Sequence, residues 1–319
     1  MKFNGKILSA LAVAALAATA VFAQKPITLG FAQVGAESEW RTANTKSIQD
    51  SAKAAGINLK FSDAQQKQEN QIKAIRSYIA QKVDVIAFSP VVESGWDTVL
   101  MEAKAAKIPV ILTDRAVDSK DTSLYVTFMG SDFVLEGHRA GQWLIEDLTK
   151  NGMIKKDVDI VELQGTVGSA PAIDRKKGFA DEISKYPNLK ITRSQTGDFT
   201  RAQGKEVMEA FLKADPNIQV LFAHNDDMAL GAIQAIEEAG KKPGQDIIIV
   251  SIDGVKGAFE AMMAGKLNCS VECSPLLGPQ LMQACKDVLA GKTLPKRIVT
   301  QESVYPAEKA AAAYPSRQY

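Results

Sequence analysis

Short runs of β-branched and aromatic residues alternate with longer stretches whose apolar residues recur every three or four positions, over nearly the whole chain. The runs predict strands at Ile27–Gln33, Asn58–Asp63, Val83–Phe88, Pro109–Thr113 and Leu124–Phe128. Five more are predicted at Val158–Leu163, Lys190–Gln195, Val220–Ala223, Ile247–Ile252 and Asn268–Glu272. Between them, Ile72, Ile75 and Ile79 fall at helical spacing, as do Val207, Ala210 and Phe211, then Ala229, Ala232, Ile233 and Ile236. Gly56 and Gly240 read as helix C-terminal caps. Such alternation predicts an α/β fold, parallel sheets with helices on both faces.

Ten strands are many for one open sheet, and the alternation runs for five and starts again. The stretches ITLGFAQVGAESEW and VDIVELQGTVGSAPAIDR share one shape, a strand, a glutamine, Val-Gly and a helix, which suggests two similar lobes. Met129–Asp132 and Glu272–Pro275 are hinge candidates, with a later return near Gly291–Arg297. The chain then crosses between lobes more than once. The expected division is 24–129 plus 275–296 for one lobe and 130–274 plus 297–319 for the other.

The first 23 residues change the picture. Lys2 and Lys6 precede an apolar run from Ile7 that ends on Val21 and Ala23 in a small-x-small pattern, a cleavable signal peptide. As a membrane anchor the run is barely long enough, and its residues are mostly small alanines. Cleavage after Ala23 leaves 296 of the 319 residues, enough for two domains, and an exported, soluble protein. It also removes two lysines and no acid, taking the formal net charge from +1 to −1. That balance argues against a nucleic-acid partner, which needs a basic face. Cys269 and Cys273, on one strand, would lie about 13 Å apart and too far to bond. Cys273 with Cys285 stays geometrically open, against the alternative of buried free thiols.

Ligands of open parallel sheets bind beyond the carboxyl ends of strands. In this chain those positions carry Glu37, Trp40 and Arg41 after the first strand, and Asp114 and Arg115 after the fourth. Arg175 opens the first helix of the second half, and Asn225, Asp226 and Asp253 follow later strands. Carboxylates, amides and guanidinium forks beside an aromatic plate suit a sugar, whose hydroxyls donate and accept while its C–H face packs on a ring. Each acid alone also reads as a helix cap, and Asp132, Asp226 and Asp227 could all serve as caps. Trp96 lies within a helical pattern and fits core or rim.

Support for catalysis is thin. His138 and His224 are the only histidines, and the chain has no G-x-S-x-G, H-E-x-x-H or C-x-x-C. His224-Asn-Asp-Asp lacks the ligands of a metal site, and QVGAES lacks the glycine spacing and lysine of a nucleotide loop. No cofactor is expected. A secreted sugar-acting enzyme would need Asp114 and Asp253 as a carboxylate pair at a set separation.

The order W-R, D-A-Q-Q-K-Q-E-N-Q-I-K-A-I-R, T-D-R, A-I-D-R-K-K-G-F, G-D-F-T-R, A-H-N-D-D-M and S-I-D-G resembles the periplasmic sugar-binding proteins of ABC importers. These form the type I, ribose- and galactose-binding class, and the blocks QQKQENQIKAIRS, VELQGTVG and HNDDM are similar to its galactofuranose-binding branch. The resemblance implies two Rossmann-like lobes joined by a three-segment hinge, closing over one monosaccharide. It implies no catalysis, a membrane ABC permease as partner, and a monomer in the periplasm. Another pentose or hexose, or a sensory output, would fit the same class. Trp40 would stack on the sugar with Arg41, Asp114 and Arg115 beside it from the first lobe, and Arg175, Asn225 and Asp253 would reach in from the second. Glu37 and Glu272 are further expected contacts. Glu39 departs from the pattern, which has a small residue ahead of the tryptophan.

Overall fold

The computed structural model describes residues 25–319, so the expected signal peptide lies outside the described residues. The first sheet is built from β1 (Thr28–Gln33), β2 (Asn58–Asp63), β3 (Val85–Phe88), β4 (Val110–Thr113), β5 (Thr127–Gly130) and β11 (Arg297–Val299). The second holds β6 (Val158–Gln164), β7 (Leu189–Thr196), β8 (Val220–Ala223), β9 (Ile248–Asp253), β10 (Cys269–Glu272) and β12 (Val304–Pro306). The spatial orders are β2-β1-β3-β4-β5-β11 and β7-β6-β8-β9-β10-β12, the same winding twice. Every pairing between these strands is parallel except β10 with β12.

Burial explains which runs became central strands. β3 (VIAF), β4 (VILT), β8 (VLFA) and β9 (IIVSID) are buried at every position, as parallel strands covered by helices on both faces must be. The outer strand β7 instead alternates less and more exposed side chains from Leu189 to Ser194. Sheet and helices enclose a second-lobe core around Phe179, Phe222 and Ile249. Two first-lobe layers lie on either face of the other sheet, one around Phe88 and Trp96 and one around Phe31, Ile48 and Leu281. Trp96 is thus a core residue: its ring lies 4.9 Å from Phe88 and its Nε1 donates to the Val92 carbonyl.

Two expectations shift. The fifth strand starts at Thr127 rather than Leu124, because Thr122–Leu124 closes a 3₁₀ turn capped by Asp121. The third crossing falls between Val299 and Val304, later than Arg297, because β11 pairs with β5 in the first sheet. The three cysteines are buried and free, so the pairing of Cys273 with Cys285 is not made. Cys285 sits in α9 (Gly278–Leu289) within a first-lobe layer, where burial pushes its thiol up to about 12. Among the described residues no helix is long and apolar enough to cross a membrane.

Candidate functional site

The carboxyl ends of the two sheets face each other across a cleft. Its cavity is lined by Glu37, Trp40, Arg41, Asp114, Arg115, Arg175, Asn225 and Asp253, all expected from sequence, together with Ser38, Pro171, Phe199 and Cys273.

On the first-lobe side, α1 (Glu39–Ala55) starts at the N-cap Ser38, whose hydroxyl accepts from the Arg41 amide. This turns Trp40 and Arg41 toward the cleft. Arg41 is buried, yet its Nη2 donates to Asp114 at 2.7 Å and its Nε to Glu37 at 3.1 Å. Burial works against its charge, and the Asp114 and Glu37 carboxylates outweigh that and hold the guanidinium above its ordinary value. Arg115 lies 3.8 Å from Glu37 and 3.9 Å from Asp114, and burial with the neighbouring Arg41 lowers it to about 10, still cationic at neutral pH. Asp114 also accepts from Ser89 and stands at φ +61°, a left-handed conformation rare outside glycine. The backbone of Gly130, at φ +150°, packs against it where a Cβ would lie 3.0 Å from Asp114 Cα.

On the second-lobe side, Arg175 rises from α5 (Ala170–Ile183), donates to Glu136 at 2.8 Å and to the His224 carbonyl at 2.6 Å, and comes within 3.6 Å of Asp253. Burial opposes its charge, and Glu136 foremost holds it well above the ordinary value. Asp253 ends β9, where burial pushes its carboxyl well up despite Arg175. Hydrogen bonds donated by sugar hydroxyls would favour its charged form. Asn225 is the N-cap of α7 (Asp226–Glu238), accepting from Met228, while its Nδ2 donates to the Phe199 carbonyl. It therefore satisfies the cap reading and the site reading at once. Asp226 does not cap: its carboxylate accepts from the amides of Gly254 and Val255 and from Ser270, and so shapes the loop that carries Asp253. Asp132 is a cap, for α4 (Phe133–Lys150).

Glu272 stands apart from the other expected contacts. It does not line the cavity; its carboxylate accepts from Arg317 Nη1 at 2.6 Å and from the Ser303 amide at 3.0 Å. Along an extended strand successive side chains point opposite ways, so the neighbouring Cys273 faces the cavity instead. Phe199 was not foreseen. It follows β7 at φ +61°, packs where Gly165 has no side chain, and lies 5.3 Å beneath the Arg115 guanidinium. Glu39 does not join the site; its amide donates to Asp227 of the other lobe.

The arrangement presents three guanidinium groups, each with carboxylates at hand, between an indole and a phenyl ring. Two buried polar atoms of this shell, Glu37 Oε2 and Arg115 Nε, have no protein partner. Such a surface offers many donors and acceptors with little net charge, which fits a neutral polyhydroxyl ligand better than a phosphate or a carboxylic acid.

A family model described as periplasmic binding protein domain matches residues 29–293. The chain is 53% identical over 284 residues, 88% of either chain, to the galactofuranose-binding protein YtfQ of Escherichia coli K12. A crystal structure from Mycobacterium smegmatis in complex with β-D-fucofuranose superposes with a TM-score of 0.89 at 61% identity, covering 92% of this chain and 95% of that one. The periplasmic binding protein component of the arabinose ABC transporter from Shewanella sp. ANA-3, bound to α- and β-L-arabinofuranose, superposes at 0.87 with 54% identity, covering 91% and 95%.

Proposed function

Because the chain belongs to the periplasmic binding protein family, a family of sugar-binding components of ABC importers rather than enzymes, we propose that it captures one furanose sugar, galactofuranose, by hinge closure and delivers it to a membrane permease. The observation that carries this is the charge-compensated shell of Arg41, Arg115 and Arg175 with Glu37, Asp114 and Asp253 between Trp40 and Phe199. The sugars named with the three relatives described above, galactofuranose, fucofuranose and arabinofuranose, share a five-membered ring. Both lobes contribute to one small cavity, so the ligand favours the closed state, where alone it touches both.

The two units that move are residues 25–129 with 275–299 and residues 130–274 with 300–319, the return taken after β11. The protein acts as a monomer in the periplasm after cleavage behind Ala23.

Thermal unfolding of Gln24–Tyr319 against galactose, arabinose, ribose and glucose tests the proposal. A ligand held only by the folded state, at about a hundred times its Kd, adds about 2.7 kcal/mol and raises Tm. Galactose solutions contain a minor furanose fraction, so a rise that needs a large excess of galactose, with furanose in the bound-state density, is the expected result. A rise with another sugar alone would replace galactofuranose; no rise with any sugar would sink the proposal.

A further inference from the structure

Glu39 and Trp40 are adjacent, yet they do different things across the cleft. Glu39 is the first residue of α1, and the amides of a helix's first turn have no partner within the helix. Its N–H instead donates at 2.7 Å to Asp227 Oδ2, on the first turn of α7 in the other lobe. The other oxygen of Asp227 accepts from Arg201 Nε at 3.2 Å and Nη2 at 2.9 Å, and Arg201 belongs to the same lobe at the start of α6 (Arg201–Ala214). The Glu39 carboxylate comes within 3.7 Å of Arg201 Nη2. Asp227 is buried, whereas the side chains of Glu39 and Arg201 stay partly exposed, and none of the three residues lines the cavity.

Resting on the reading of a hinge-closing sugar-binding protein, we propose that Asp227 and Arg201 grip the N-terminus of α1 as a closure latch that sets the release rate of the sugar without touching it. The Arg201–Asp227 pair lies within one lobe and survives opening. The bond from Glu39 N–H to Asp227 joins the lobes and exists only when they are shut. A carboxylate at the positive end of a helix dipole is favourable, and here that energy counts only toward the closed state. The latch sits beside ligand-binding residues in both lobes, since Trp40 follows Glu39 and Asn225 lies two positions before Asp227. Closing on a sugar therefore engages it in the same motion.

Proline is well tolerated at the first position of a helix, and Ser38, at φ −144° and ψ 162°, already has the extended conformation that precedes proline. Glu39→Pro thus deletes the donor and keeps α1, while Glu39→Ala keeps the donor and deletes only the carboxylate. The test is stopped-flow measurement of binding and release with L-arabinose and D-galactose. Glu39→Pro and Asp227→Ala should raise the dissociation rate about tenfold and Glu39→Ala about twofold, at an association rate within twofold of the parent. The loss should be equal for every sugar, because the latch contacts none, whereas Asn225→Ala should change the ranking of sugars. Glu39→Pro equal to Glu39→Ala would overturn the latch, as would a loss that differs between sugars. Should the parent bind none of the sugars, the function proposed above fails and the latch that rests on it falls too, whereas sugar binding with equal release rates for Glu39→Pro and Glu39→Ala refutes the latch alone.

Discussion

The indole Nε1 of Trp40 donates a 2.6 Å hydrogen bond to the carbonyl of Cys273, a residue of the second hinge crossing. Trp40 comes from α1 of the first lobe but packs with the second-lobe core, and the Arg41 guanidinium stands 4.6 Å from its ring. One side chain therefore joins cavity, hinge and opposite lobe. Trp40→Ala should weaken sugar binding at least thirtyfold, about 2 kcal/mol, as expected for a buried aromatic anchor. Trp40→Phe keeps a ring and loses the hinge bond, so titration calorimetry should place it between the two.

Asp114 holds Arg41 and accepts from Ser89, with all three side chains buried. Asp114→Asn keeps the shape and removes the charge. Breaking a buried pair costs about 3–5 kcal/mol, and Glu37 still faces Arg41, so a stability loss of about 2–3 kcal/mol is expected in urea unfolding. Sugar affinity should fall more than tenfold.

Phe199 lies where a Cβ on Gly165 would meet its Cζ at 1.8 Å. Gly165→Ala must therefore push the ring toward the sugar or out of the cleft. It should lower affinity about tenfold, as much as Phe199→Ala, while Tm stays within a few degrees; an unchanged affinity would mean that the ring is not a binding plate.

Glu302 accepts from Ser131 and from the Ser274 amide at 2.8 Å, so one carboxylate ties together segments of all three crossings. Burial, with Glu136 nearby, holds it up to about 8, against an ordinary 4.5. The folded chain keeps a proton that the unfolded chain gives up, so this contribution is full below about pH 4.5 and is lost as pH rises through about 8. Glu302→Gln, which needs no proton to stay neutral, should lose less stability between pH 5 and pH 9. Its Tm at pH 9 should exceed the parent's by roughly 3 °C, about 1 kcal/mol at this size. Parallel Tm profiles for the two proteins would contradict the assignment.

Much of this arrangement is legible in the sequence, for reasons visible in particular residues. β3, β4, β8 and β9 are buried on both faces, so they read as mostly apolar runs with sharp ends. The polar residues at or just beyond their ends, Asp114, Asn225 and Asp253, consequently stand out in the sequence. β11 and β12 are three residues each and carry no period, so the return crossing was misplaced by a few positions. Phe199 follows an outer strand in a loop where an aromatic residue has no polar signature, and Glu272 differs from Cys273 only in which way its side chain points. The partner of Glu39 lies 188 positions away, a distance no local pattern bridges.

The winding of the two sheets also has a consequence for how the chain comes to be folded. The first lobe lacks one layer of its core until Leu281 and Met282 arrive in α9, and lacks its outer strand until Val299. Every strand of the second sheet but β12 is synthesised before that point. A chain made from its N-terminus onward can complete neither lobe until its last few tens of residues are present. The early strands must wait with apolar surface uncovered, the kind of intermediate that chaperones hold. The same threading that lets the lobes hinge makes their folding one late and joint event.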